Sequence, residues 1–164
     1  MNIFLIAEFL ETWSIKEFVL IFVTQKKHER KLMSRKADRQ KAFELIYEMH
    51  IKNEEDIEYL PHYVERENID TESYIYNLLE NYLEHKEEII SMISKGSDKW
   101  NIDRISKVDL AIIKIASTEI MYISDIPEKV SIDEGVILSK KYSEADAYKF
   151  VNGVLKYVME HKTN

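Results

Sequence analysis

Three glycines and two prolines in 164 residues leave this chain few places to turn sharply. A many-stranded β fold needs such residues at every hairpin, because tight turns demand positive φ or a fixed φ. Here Leu, Ile, Glu and Lys instead recur over long stretches at three- and four-residue spacing, the period of an amphipathic helix. The fold class that follows is all-α: a compact helical bundle of two subdomains, each of three to four helices. An apolar share of 45% over one domain's length is enough to bury a real core. Cysteine is absent, so disulfides and thiolate metal sites are excluded, which suits a reducing, cytoplasmic setting.

The periodicity divides the chain into helices. The first is expected over 34–51, with Ala42, Ile46 and Met49 on one stripe and Phe43 and Tyr47 beside it. A weaker helix over 53–66 turns Ile57, Leu60 and Val64 inward, and Pro61 is expected to kink or divide it. Asp70 or Thr71 then caps a long third helix reaching Lys95, with Ile75, Leu78, Leu79, Tyr82, Ile89 and Ile93 on its apolar stripe. After a Gly96-Ser97-Asp98 loop, Trp100 and Ile102 anchor the second subdomain. Its next helix runs to about Ile123 on Ile105, Val108, Ile112, Ile115 and Ile120, with Tyr122 read as a packing residue. Asp125-Ile126-Pro127 restarts the chain into a helix over 128–142 that buries Val130, Val136 and Leu138 and exposes Lys140 and Lys141.

The last helix, over 142–158, carries the most information. Ser143 followed three residues later by Asp146 reads as a capping box, each side chain satisfying an orphaned backbone donor. Val151, Val154, Leu155 and Val158 form its buried stripe. Gly153 in its interior costs roughly 1 kcal/mol relative to alanine, so close approach by another backbone or by a ligand is expected there.

A formal net charge of −7 argues against nucleic-acid binding by the whole surface, but the charge is unevenly spread. From Gln25 to Lys41 eight lysines and arginines stand against two acids, whereas from Asn53 to Glu88 twelve acids stand against Arg66 and Lys86. Cations clustered at a helix N-terminus oppose the macrodipole, so an anionic partner explains them better than helix stability does.

Residues 1–32 read as an extension, and an upstream in-frame extension from a misassigned start before Met33 is the leading expectation. The alternative is an extra helix packing its Phe/Ile/Leu face on the domain or on a membrane surface. The apolar run Ile3 to Val23 contains Glu8, Glu11, Lys16 and Glu17. Central charges at about +2.5 to +3.5 kcal/mol each outweigh apolar residues at about −0.3 to −0.6, so no stable membrane insertion is expected. No signal peptide is expected either, since the first seven residues carry no Lys or Arg.

Catalysis finds no support. His28, His50, His62, His85 and His161 lack metal-ligand spacing, no glycine-rich phosphate loop or nucleophile elbow occurs, and Asp133 and Glu134 are adjacent and point apart on a helix. No catalytic residue, metal or cofactor is expected, and a helical protein-interaction module without sequence-specific RNA binding is the alternative to a nucleic-acid-binding role.

The stretch from Ile126-Pro127 through Val130, Ile132, Glu134 and Lys140-Lys141-Tyr142 to Phe150-Val151-Asn152-Gly153-Val154-Leu155 resembles the C-terminal signature of the NusB family. Trp100 to Ile105, Val108-Asp109, Glu119 and the segment Arg35-Lys36-Ala-Asp-Arg39-Gln-Lys41-Ala42 fit the same pattern, and together they cover about 33–160. Residues 33–164 are thus read as a NusB-like RNA-binding domain. The resemblance implies a small all-helical factor that binds the boxA element of nascent ribosomal RNA transcripts together with NusE, a small ribosomal subunit protein, in the RNA polymerase antitermination complex. By the same resemblance Arg35, Lys36 and Arg39 contact RNA, Phe150 meets a base, and Asp146 lies close to the RNA. Tyr47 and Asp109 resemble positions on the NusE-facing surface. Some family members dimerise, and a homodimer is allowed here. Gly135 and Asp133 replace a usual alanine and asparagine, which is expected to cost local helix stability.

Overall fold

The computed structural model describes residues 15–97 and 101–162, and every regular element among them is helical. Expectations about residues 1–14 and Trp100 lie outside the described residues. Two compact units are present, Met1–Lys36 and Ala37–Asn164.

Helix α1 runs from Ile15 to Lys52, where the sequence suggested a start near residue 34. The residues before Ser34 include Lys, Arg, Glu, Leu and Met, good helix formers with no glycine or proline among them, so nothing local stops propagation. Among the described residues no helix is long and apolar enough to cross a membrane.

One of two 3-10 turns among the described residues, Ile57–Tyr59, leads into α2, Leu60–Glu67; the other is Ile102–Arg104. Pro61 divides the expected helix rather than kinking it: it sits in the first turn of α2, where its missing N–H costs nothing, and the 3-10 turn lies before it. Leu60 is buried as expected, but Ile57 is 41% exposed because it belongs to the 3-10 turn and not to the helical stripe. The long third helix of the sequence reading is two helices, α3 (Tyr74–Glu84) and α4 (Lys86–Gly96), separated by His85 at φ −108°, ψ 18°. The His85 ring stacks on Tyr122 with centroids 4.2 Å apart, a contact between distant segments that local pattern does not encode. The N-cap of α3 is Ser73, whose hydroxyl accepts from the Tyr76 amide at 3.3 Å, while Asp70 closes a turn by accepting from the Glu72 amide.

The other helices are α5 (Lys107–Tyr122), α6 (Glu128–Tyr142) and α7 (Ala147–His161). These three pack against one another, α4 packs on α5 and α7, and α3 packs on α5. Helix α5 is buried on every side from Asp109 to Ile120, which makes it the axis of the bundle. Leu138 is buried on α6, whereas Val130 and Val136 are half-buried. Val151, Val154, Leu155 and Val158 of α7 lie in the core, each worth about 1.5 to 3 kcal/mol relative to exposure. At Gly135 of α6, an added Cβ would stand 2.8 Å from Leu155 Cδ1 and 3.3 Å from Ala116 Cβ. The glycine therefore lets α6 lie close to both α5 and α7, offsetting its low helix propensity.

Candidate nucleic-acid interface

The turn joining α6 to α7 departs from the sequence reading. The last helix starts at Ala147, and no capping box forms. Asp146 is the residue before the helix, in the left-handed region at φ 71°, ψ −8°, and its side chain makes no cap hydrogen bond. Aspartate tolerates this conformation better than most residues, though not without cost. Its carboxylate instead accepts from Lys149 Nζ at 2.8 Å, with both side chains largely exposed. Ser143 Oγ turns away from the helix start and donates to Asp109 Oδ1 at 2.5 Å.

Asp109 thus has an internal duty. It is 8% exposed, and its Oδ2 accepts from Ser106 Oγ at 2.6 Å while its amide donates back to that hydroxyl at 3.1 Å. The reciprocal pair caps α5, and the Ser143 bond ties that cap to the α6–α7 turn. The resemblance placed Asp109 on a partner-facing surface; its carboxylate is committed to holding the turn. Tyr47 is half-buried, with its ring 6.4 Å from Phe43, which in turn lies 5.1 Å from Tyr142.

Arg39 is a second departure. It is 3% exposed, its Nε donates to Glu119 Oε1 at 2.7 Å, and Nη1 lies 3.4 Å from Glu134 Oε2. Tyr74 also donates to Glu119 Oε1. Burial pushes the Glu119 carboxyl up, while Arg39 pulls it down. A guanidinium held in this way joins α1 to α5 and α6; it is not presented to solvent as the expected phosphate contact would be. Of the other cations expected at the RNA, Arg35 is half-buried and Lys36 is exposed, both at the end of the N-terminal unit.

A further buried cluster links α1, α3 and α5. Lys114, 1% exposed, donates to Glu55 Oε1 at 2.5 Å; His50 Nδ1 lies 2.9 Å from Glu55 Oε2, and Tyr82 OH donates to Glu55 at 2.9 Å. Burial works against the ionised Glu55, yet the Lys114, His50 and Tyr82 contacts hold its pKa below the ordinary range. Among the described residues, no group of three or more His, Asp or Glu side chains is placed to hold a metal ion.

The exposed side of α6 and α7 is open to a ligand. Lys140 is exposed and its Nζ lies 4.8 Å from the centroid of the half-buried Tyr148 ring, with Lys149 Nζ at 5.9 Å from the same ring. Lys141 Nζ donates to Gln40 Oε1 at 2.9 Å and lies 4.8 Å from the Tyr142 ring. Phe150, the expected base contact, is half-buried and packs partly against the core. Tyr148, Lys149 and Lys156 were not singled out by sequence reasoning. The alternation of lysine and tyrosine around 140–149 was the available signal, but it needed the α6–α7 turn to bring its halves together.

Comparison with known proteins bears on the chain as a whole. A family model described as "NusB family" matches residues 36–160. The transcription antitermination protein NusB of Finegoldia magna is 35% identical over 134 residues, covering 80% of this chain and 98% of the relative. That of Clostridium acetobutylicum is 41% identical over 126 residues, covering 75% and 93%. Among solved structures, T. maritima NusB superposes with a TM-score of 0.68 at 26% identity, covering 79% of this chain and 93% of that one. The solution structure of NusB from Aquifex aeolicus gives a TM-score of 0.62 at 32% identity, covering 77% and 87%.

Proposed function

The chain belongs to the NusB family of transcription antitermination proteins, and on that premise we propose that it binds the boxA element of nascent ribosomal RNA transcripts together with NusE. The observation that carries the RNA reading is the exposed lysine and aromatic side of α6 and α7, where Lys140 and Lys149 gather around the Tyr148 ring. Single-stranded RNA is held by cations that track its phosphates and by aromatic rings on which bases stack. Phe150 supplies one base contact, worth roughly 1 to 3 kcal/mol. Asp146 tempers the field there by engaging Lys149. Arg35 and Lys36 add phosphate contacts from the N-terminal segment. Arg39 serves by holding α1 in place through Glu119, and Tyr47 offers a partly exposed ring to NusE.

Binding of the full chain to a boxA RNA and to a scrambled RNA of equal length, each with and without NusE, tests this. Preference for boxA that NusE strengthens supports the reading. Equal weak binding to both RNAs, indifferent to NusE, removes it in favour of a helical interaction module.

A further inference from the structure

Gly153 has a neighbourhood opposite to that of a packing glycine. A Cβ added there meets nothing within 4 Å, and the residue is exposed. No other backbone approaches it, so the core offers no reason for a residue that weakens a helix. Helical spacing puts Lys149 one turn before it and Lys156 one turn after it on the same face, all three exposed. Beside the N-terminal end of this face, Lys149 Nζ lies 5.9 Å from the centroid of the Tyr148 ring, which Lys140 approaches from α6. The acids at its two ends are Asp146, paired with Lys149, and the exposed Glu160. The face is therefore a bare stretch of helix backbone between two lysines, entered past an aromatic ring.

We propose that this face is a track for the sugar-phosphate backbone of single-stranded RNA, which meets α7 most closely at Gly153. The inference rests on the RNA-binding reading above and adds to it the path the strand takes. Lys149 and Lys156 neutralise phosphates on either side, and Tyr148 stacks on a base as the strand enters. With no side chain at 153, the ribose and phosphate lie against the helix and the two lysines reach them together.

The test separates space from charge. Gly153→Ala and Gly153→Gln are measured in the full chain for thermal stability and for affinity to a boxA RNA across a salt series, beside Lys156→Gln. Alanine improves helix propensity and has room, so its Tm should rise by about 1 to 4 °C. RNA affinity should fall nonetheless, about threefold or more for alanine and further for glutamine, with the salt slope unchanged. Lys156→Gln should lower the slope of log K against log salt by about 0.7. Parent-like affinity in both Gly153 variants overturns the track while leaving boxA recognition standing, as does a fall in affinity that merely follows a fall in Tm. A parent chain with no boxA preference overturns the functional reading itself.

Discussion

Arg39 and Lys149 are both cations on helices that flank α6, yet one is sealed between α1, α5 and α6 and the other stands 64% exposed on α7. Arg39 meets two carboxylates in a medium of low dielectric, where a lost partner leaves an uncompensated buried charge. Lys149 holds Asp146 in water, where the pair is worth little and is readily exchanged for a phosphate. The two glycines repeat the contrast. Gly135 admits a neighbouring helix, and Gly153 faces open space. The same residue type thus serves packing on the inner side of this bundle and access on its outer side.

The sharpest way to break the comparison is Arg39→Ala, which strands Glu119. It should cost about 3 to 5 kcal/mol in chemical denaturation, several times the effect of Lys149→Ala. Similar small losses for both would mean that Arg39 is not sealed. Gly135→Val forces side-chain atoms against Leu155 and Ala116 and should cost about 1 to 3 kcal/mol, opposite in sign to Gly153→Ala. Ser143→Ala removes one of two hydroxyls on Asp109 and should cost about 0.5 to 1.5 kcal/mol by urea titration. An unchanged midpoint would show that the turn is held by Ser106 and backbone alone.

The smallest effect belongs to the surface. The Arg66 and Lys52 hydrogen bonds beside Glu48 hold its carboxyl down at about 2, from an ordinary 4.5. A depressed carboxylate contributes stability above its unfolded pKa and loses it as pH falls, here between about 4.5 and 2. The pair is exposed, so the loss should stay under about 1 kcal/mol. NMR titration of the Glu48 side chain in the Arg66→Gln variant should place its midpoint closer to the ordinary value. A midpoint unmoved by that change would remove Arg66 as the cause.

The helices of the core were legible because burial repeats at the helical period. The stripes of α5 and α7, Ile112, Ile115 and Ile120 and then Val151, Val154, Leu155 and Val158, are buried as the spacing implies. The ordered motif from Ile126 to Leu155 was equally legible and identified the family. The candidate site was only partly so. Basic charge between Gln25 and Lys41 is visible in sequence, but what each cation meets is not. Arg39 stands three, seven and ten positions before Ala42, Ile46 and Met49, so the helical spacing itself turns it inward, but its partner Glu119, eighty positions away, comes only with the fold.

Sequence by itself determined that this protein is a helical bundle of the NusB family with an uneven charge, since periodicity and motif order are local properties of the chain. Tertiary structure decided that α3 and α4 part at His85, where a ring stacks on Tyr122. It decided too that Ser143 serves Asp109 rather than its own helix, and that Gly153 is open while Gly135 is closed. Each of these depends on what a second, distant helix places beside the residue, and a residue's depth and partners are set by that neighbour.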